Sequence, residues 1–151
     1  MLSDKRLLAF VKESNAIEGI NRTPSRVEIN ATRYFLESAE IKIENLEKFV
    51  SAIAPFARLR LEDGMDVRIG NHIPPAGGPS IGYALDELLV KANGGSNPYK
   101  IHCEYEKLHP FMDGNGRSGR VLWAWQMIKT GNKLLQLGFL HAFYYQTLDD
   151  R

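Results

Sequence analysis

The sequence predicts an all-α protein, a bundle of about six to eight helices with one small β-hairpin. In most segments apolar residues recur three and four positions apart, and glycine or proline follows. One stretch, residues 67–73, alternates apolar and polar side chains instead, and Gly70-Asn71 at its centre suits a tight turn. The length of 151 residues fits one core, so we expect residues 1–151 to form a single domain.

Start and stop signals predict the helix boundaries. The first helix is expected over about residues 4–18, because Ser3 is a suitable N-cap and Gly19 is placed to end it. Thr23 followed by Pro24 predicts the start of the second helix. The apolar face of that helix is predicted to consist of Val27, Ala31, Tyr34 and Phe35. Later helices are predicted over about residues 43–53, 80–91, 98–108, 118–129 and 139–148.

The helix that starts near Ser118 is predicted to be central. Trp123 and Trp125 lie two positions apart, so one amphipathic face cannot contain both, and we expect burial on most sides. On the preceding helix, His102 lies about two turns before His109. Because His109 lies past the helix end, we interpret His102 not as a metal ligand but either as a core histidine or as one that supports the site from behind.

Composition and charge exclude several functional classes. A net charge of +1 provides no broad basic surface, so no nucleic-acid partner is expected. No apolar run is long enough to span a membrane, and Lys12 and Glu13 interrupt the N-terminal apolar run, so we expect no signal peptide. Cys103 is the single cysteine, which suits a reducing compartment and predicts a cytoplasmic protein.

Residues 109–120 carry the densest functional chemistry. Gly114 and Gly116 remove side-chain bulk, so consecutive backbone N–H groups can face one concavity of the kind that binds phosphate. A helix that opens near Ser118 would add the positive end of its dipole to the same concavity.

The charged residues of this stretch fit the same ligand. Arg117 and Arg120 can both form forked hydrogen bonds with phosphate oxygens. Asp113 is a hard oxygen ligand of the kind that Mg²⁺ takes beside substrate phosphates, and His109 is a base with an ordinary pKa near neutrality. The residues therefore predict a polyphosphate site with a metal ion and a proton acceptor. A glycine loop that caps a helix, with surface arginines and a packed histidine, is the alternative.

The stretch from His109 to Arg120 resembles, at every specified position, the His-Pro-Phe-x-Asp/Glu-Gly-Asn-Gly-Arg-x-x-Arg signature of the Fic family. Members of this family typically transfer AMP from ATP to a protein hydroxyl. The resemblance implies that His109 is the general base and that Asp113 holds Mg²⁺. The implied nucleotide-binding residues of this stretch are Asp113, Gly114, Asn115, Gly116, Arg117, Ser118, Gly119 and Arg120.

The resemblance also implies separate roles for the two arginines and for the backbone between them and His109. Main-chain N–H groups of residues 114–116, with Asn115, would form an anion hole. Arg117 would hold the inner phosphates, and Arg120 would hold the γ-phosphate.

Ser14 and Glu18 lie four positions apart on the first predicted helix. Residues 14–19 resemble the Ser/Thr-x-x-x-Glu-Gly/Asn inhibitory motif found with Fic proteins. The resemblance implies that Glu18 pairs with Arg120, which is then unavailable to the γ-phosphate of ATP. It places the chain in the N-terminally self-inhibited class of the family. Without this context, the two side chains would be interpreted as part of a solvated face.

Residues 68–75 resemble the Fic flap, a hairpin over the active site that holds the target segment by main-chain pairing. The implied partner is a target protein whose Ser, Thr or Tyr hydroxyl docks on residues 67–75, and self-modification is also possible. A connector hairpin is the alternative. The implied nucleotide contacts here are Ile69, Gly70, Asn71 and His72. Tyr144 and Tyr145 fall where the family carries paired aromatics near the nucleotide base, and two tyrosines that pack a terminal helix are the alternative.

The predicted function is a protein adenylyltransferase that uses ATP and Mg²⁺ and is inhibited by its own Glu18. Three alternatives remain: removal of AMP from a target, transfer of another phosphate-containing group, and a non-catalytic ATP-binding module. The presence of His109 as a candidate base and Asp113 as a candidate metal ligand favours an enzyme, because a module that only binds ATP needs no base.

Overall fold

The computed structural model describes residues 2–131 and Leu140. Over this part of the chain the fold is all-helical, as predicted, with six α-helices and no β-strand. The helices are α1 (Asp4–Ile17), α2 (Arg26–Leu36), α3 (Ile43–Ile53), α4 (Pro79–Asn93), α5 (Pro98–Leu108) and α6 (Asn115–Lys129). Of the helix predicted at 139–148, only Leu140 is among the described residues. No described helix combines the length and apolar character that crossing a membrane requires.

Serine side chains cap the first two helices. Ser3 caps α1 as predicted, because its Oγ accepts a hydrogen bond from a backbone N–H three residues later, at 3.3 Å. The predicted start of α2 at Thr23 is wrong. Ser25 is the N-cap: its Oγ accepts from Glu28 N–H at 3.2 Å, and Glu28 Oε1 accepts from Ser25 N–H at 2.8 Å. This reciprocal capping box satisfies two N–H groups at once, which a single threonine cannot do.

The predicted apolar face of α2 is also partly wrong. Val27 and Tyr34 are 60% and 52% exposed, whereas Ile29 and Leu36 are buried with Thr32 between them. Apolar residues three and four positions apart define two overlapping faces on this helix, one with Val27 and Tyr34 and one with Ile29 and Leu36. Packing against the neighbouring helices selects one face, and the local pattern alone does not distinguish them.

Helix α6 is central, as predicted. It contacts α1, α2, α3 and α5. Trp123 and Trp125 are both buried although they point in different directions, and Trp125 Nε1 donates to Ser38 O at 2.9 Å. Packing on several sides therefore positions the N-terminus of α6 within the bundle.

The predicted β-hairpin is wrong as a pair of strands. Within residues 67–75, which we call the flap segment, Ile69 and His72 form one isolated antiparallel bridge with backbone hydrogen bonds of 3.0 and 2.8 Å. Two prolines follow the turn and have no N–H to extend the pairing, and a short hairpin is marginal by itself. The turn is present without the strands.

Candidate active site

His109 is the C-cap of α5 and adopts a left-handed backbone conformation, with φ 50° and ψ 63°. Burial lowers the pKa of His109 below its ordinary value of 6.5, and the charges of Arg60 and His72 lower it further. Glu18 and Asp113 oppose this shift. The imidazole is therefore neutral at pH 7 and able to accept a proton.

The motif loop, residues 109–114, is held from inside by Asn115. Its Oδ1 accepts a hydrogen bond from Phe111 N–H at 2.9 Å, and its Nδ2 donates to Phe111 O at 2.7 Å. Phe111 is buried and pairs with Leu59 through an isolated bridge. The side chain of Asn115 therefore holds the loop, and the predicted contribution of Asn115 to an anion hole stays a prediction for its backbone N–H.

Helix α6 begins at Asn115, three residues earlier than the predicted start near Ser118. Gly114 precedes it with φ 81°, a conformation that favours glycine. A Cβ at this position would lie 3.3 Å from both Ala54 Cβ and Ile53 Cδ1. The N–H groups in the first turn of a helix have no acceptor within that helix. Those of α6 directly follow the motif loop, so they are available to bind an anion.

Arg120 is buried against α1, where Ser14 and Glu18 accept hydrogen bonds from it. Its Nε donates to Ser14 Oγ at 2.8 Å, and its Nη2 donates to Ser14 O at 3.0 Å and to Glu18 Oε2 at 2.5 Å. Arg120 is 2% exposed, whereas the side chain of Glu18 is 38% exposed. The structure therefore brings together the three residues that the inhibitory motif would pair.

The carboxylate of Glu18 also lies against the start of α6. A Cβ built on Gly116 would be 2.5 Å from Glu18 Oε2 and 3.2 Å from Arg120 Nη1. Only a residue without a side chain leaves room for the carboxylate here. The charge of Glu18 thus sits at the positive end of the helix dipole, where an anionic ligand would also bind.

A cavity of about 980 Å³ opens beside these groups. The predicted site residues that line it are Glu18, Ile69, His72, His109, Asn115, Gly116 and Arg120. Its volume lies at the upper end of the usual range for small-molecule sites. His109, the N-terminus of α6 and Arg120 therefore share one space large enough for a nucleotide.

Asp113 lies in the motif loop and is exposed. Its Oδ1 accepts a hydrogen bond from Gly114 N–H at 2.8 Å. Among the described residues no group of three or more His, Cys, Asp or Glu could hold a metal ion. A single exposed carboxylate nevertheless fits Mg²⁺, which keeps waters and takes its other ligands from substrate phosphates.

Arg117 is not brought to the cavity. It is 9% exposed, and its Nη1 donates to Ile53 O at 3.0 Å, so its guanidinium anchors the start of α6 to the end of α3. The predicted contact with the inner phosphates does not follow from this position and stays a prediction.

Ser118 and Gly119 have packing roles in the structure. Ser118 Oγ lies 2.6 Å from Tyr105 Oη and donates to Gly114 O at 2.8 Å. A Cβ on Gly119 would be 3.1 Å from Tyr105 Cδ1, so glycine lets α5 and α6 approach closely. Both residues support the stretch 109–120 from behind and are not among the residues that line the cavity.

Of the four flap residues predicted to contact the nucleotide, the structure places two on the cavity. Ile69 and His72 line the cavity, and His72 Nε2 donates to Lys107 O at 3.0 Å. Gly70 and Asn71 are exposed and lie outside the lining. Tyr144 and Tyr145 lie outside the described residues.

Two features of the site were missed by sequence reasoning. One face of α5 lines the cavity, through Tyr99, Lys100, Cys103, Glu104, Glu106 and Lys107. The spacing of apolar residues predicted the helix α5. The polar residues on the opposite face of α5 match no motif, so no site role was predicted for them. The second missed feature is Arg60, which is fully buried and bonded to the backbone of His109. A lone arginine in an irregular segment carries no motif.

Glu28 anchors the end of α1 that carries Glu18. Its carboxylate accepts hydrogen bonds from Asn15 Nδ2 at 2.9 Å, from Arg22 Nη1 at 2.6 Å and from the backbone N–H of Ser25 at 2.8 Å. Burial would raise the pKa of Glu28, but these hydrogen bonds outweigh it and lower the pKa to about 2. A carboxylate held in this way stabilises the fold while it is ionised.

Replacing Glu28 by glutamine is therefore expected to lower the free energy of unfolding at pH 7, on the order of 3 kcal/mol. The folded pKa is depressed, so the contribution is complete above pH 4.5 and is lost as the pH falls toward 2. Urea unfolding of the original chain and of Glu28→Gln should converge over that window. Glu47→Gln, an exposed carboxylate on α3, is the control and should leave the difference near zero.

The fold and the site define a helical protein in which a histidine, an arginine and the N-terminus of a central helix share one cavity. In comparisons with known proteins, residues 71–127 match the model described as Fic/DOC family. No curated protein matches the chain. This match supports assignment of the chain to the Fic/DOC family, whose members generally transfer groups derived from nucleotides.

Proposed function

We propose that this chain is a protein adenylyltransferase that uses ATP. In this reaction a hydroxyl oxygen of the target attacks the α-phosphorus of ATP and forms a new P–O bond. The bond to the β-phosphate oxygen breaks, pyrophosphate leaves, and the hydroxyl proton passes to the neutral imidazole of His109. The observation that carries the proposal is that this imidazole, the N-terminus of α6 and Arg120 all face one cavity.

Positioning and electrostatics do most of the catalysis in phosphoryl transfer. The first-turn N–H groups of α6 would bind phosphate oxygens, since their helix is fixed in the centre of the bundle. Arg120 would bind the terminal phosphate. Asp113 would hold Mg²⁺, which supplies positive charge to the leaving pyrophosphate when it is bound.

Self-inhibition by Glu18 is part of the proposal. Its carboxylate neutralises Arg120 through a contact of 2.5 Å and occupies the helix end beside Gly116. A phosphate arriving there meets a negative charge and an arginine that is already paired. ATP would therefore bind without its terminal phosphate in the productive position.

The proposed partner is a target protein in the cytoplasm that presents a Ser, Thr or Tyr hydroxyl to the flap segment. Ile69 and His72 face the cavity, and Ile73 is 71% exposed next to them. An extended target segment laid along the flap segment would reach the imidazole through main-chain pairing with little side-chain selectivity. A hydroxyl of a second copy of the chain could serve in the same way.

Removal of AMP from a modified target is the second candidate. The observation that favours it is the partial exposure of Glu18 inside the cavity, within electrostatic range of His109. A carboxylate in that position could orient a water molecule toward the phosphorus of a bound AMP-protein.

The test of the proposed function uses ATP labelled either at the α-phosphate or at the γ-phosphate. The Glu18→Gly variant, Mg²⁺ and a cell extract are incubated with each label, and intact mass is recorded for the variant itself. Retention of the α label only, with a gain of one AMP unit, is expected. Retention of the γ label would identify phosphate transfer. Release of AMP from α-labelled protein by the original chain would favour the reverse reaction.

Asp113→Asn is expected to lower Mg²⁺-dependent transfer while the fold stays intact. Asparagine keeps an oxygen that can accept the Gly114 N–H, so only the negative charge is lost. Loss of an outer partner of a metal ligand costs roughly 10- to 100-fold, and loss of the ligand itself should cost at least as much. The measurement is the transfer rate against Mg²⁺ concentration, with the exposed Asp86→Asn as control. Equal rates in the two variants would show that the metal is held elsewhere.

A further inference from the structure

Arg60 is the largest charged side chain that is fully buried in the described part of the chain, with 0% exposure. It lies in the irregular segment between α3 and α4, and no described carboxylate forms an ion pair with it. A buried guanidinium needs hydrogen-bond acceptors in place of water. The identity of those acceptors indicates what the side chain does.

Four backbone carbonyls accept the hydrogen bonds of Arg60. Its Nε donates to His109 O at 2.7 Å and its Nη2 to Leu108 O at 2.8 Å. Its Nη1 donates to Pro75 O at 2.7 Å and to Met65 O at 3.1 Å. Two acceptors belong to the C-terminal end of α5, where the helix dipole favours a cation. A third is the last residue of the flap segment.

The backbone around Arg60 binds the same loop. Arg60 N–H donates to Pro110 O at 2.9 Å, and Met112 N–H donates to Arg58 O at 2.9 Å, on either side of the bridge between Leu59 and Phe111. His109, between these contacts, has φ 50°, which costs energy for a residue with a side chain. The surrounding contacts must over-determine such a conformation if it is to persist.

We propose that Arg60 is a positioning residue that fixes the main chain of His109 relative to the flap segment. The inference rests on the proposed function, in which the flap segment presents the target hydroxyl and His109 removes its proton. One guanidinium joins the two parts that must be in register for this step. Lysine cannot replace it, because an ammonium group has no planar fork that reaches four carbonyls in different directions.

Arg60 also acts on the charge of the base. It is the second-largest cause of the lowered pKa of His109, after burial, and His72, Glu18 and Asp113 are the other charged groups that contribute. Arg60→Gln should therefore raise the pKa of His109, whereas Arg60→Lys should leave it low. Loss of geometry and loss of charge can be separated by these two variants.

The test compares Arg60→Lys, Arg60→Gln and the matched control Arg58→Gln, all in the Glu18→Gly background. Arg58 is exposed two residues away, and its side chain lies outside the cavity. Both Arg60 variants are expected to lower kcat on the order of 10- to 100-fold with little change in KM for ATP, as misplacement of a reacting group does. The control should match the parent. Folded Arg60 variants with unchanged kcat would overturn the proposal.

Two NMR measurements make the test independent of turnover. The imidazole titration of His109 should move to higher pH in Arg60→Gln only. In the chain with native Arg60, the Nε–H of that residue should exchange slowly with water, because it is buried and bonded to His109 O. A fast-exchanging Nε–H would overturn the proposal even if no variant folds. Absence of AMP transfer in every variant would instead count against the proposed function and leave the NMR results to decide the role of Arg60.

Discussion

Glu18→Gly is expected to raise ATP-dependent transfer of AMP roughly 10- to 100-fold over the original chain. The substitution removes a charge-assisted hydrogen bond to Arg120 at 2.5 Å, and such bonds contribute about 1.5–3 kcal/mol. It also removes the negative charge from the N-terminus of α6, so both groups become available to phosphate. The measurement is the initial rate of label incorporation from α-labelled ATP.

Two controls separate release of the site from damage to α1. Glu18→Gln keeps the length of the side chain and an oxygen for Arg120 but removes the charge, so it should activate less than glycine does. Glu40→Gly removes an exposed carboxylate that pairs with Lys42, away from the cavity, and should have no effect. If glycine at position 18 leaves the rate equal or lower, Glu18 is not an inhibitor.

Much of the fold could be predicted because helix caps and the spacing of apolar residues depend on a few neighbouring positions in the sequence. Ser3 as a cap and the paired tryptophans of α6 depend on neighbours in the sequence, and the structure agrees with both. The α2 boundary failed because two capping signals lie two residues apart, and the better one includes the reciprocal Glu28. The prediction of a hairpin was wrong because a turn sequence does not show whether the flanking residues form backbone hydrogen bonds with each other.

The residues of the site also differ in how far the sequence predicts them. His109 and Arg120 could be found from the motif, and the structure places both on the cavity. Arg117 belongs to the same motif but bonds to the end of α3. The neighbour that a helical side chain faces is set by the packing of the helices, which the motif does not encode. The role of Arg60 could not be predicted, because its hydrogen-bond acceptors are backbone carbonyls up to 49 positions away. Every residue has a backbone carbonyl, so the sequence does not show which ones Arg60 contacts.

His109→Asn in the Glu18→Gly background is expected to lower the transfer rate about 10²- to 10⁴-fold, the usual contribution of a general base. Asparagine is the appropriate replacement because it tolerates the left-handed conformation at φ 50°, whereas alanine would strain the motif loop. ATP binding, measured by calorimetry, should change little, since the phosphate-binding groups remain. A variant that still transfers AMP at the parent rate would remove His109 from the reaction.

The pH profile supplies the decisive comparison between a base and a merely structural histidine. A base acts in its neutral form, so the rate of Glu18→Gly should be lost as the pH falls through the pKa of His109. Burial and nearby positive charges lower that pKa below 6.5, and removal of Glu18 takes away a group that opposes the shift. The acid limb should therefore lie below pH 6.5 in Glu18→Gly and be missing from the residual activity of the asparagine variant. A limb above pH 6.5, or the same limb in both, would assign the proton transfer to another group.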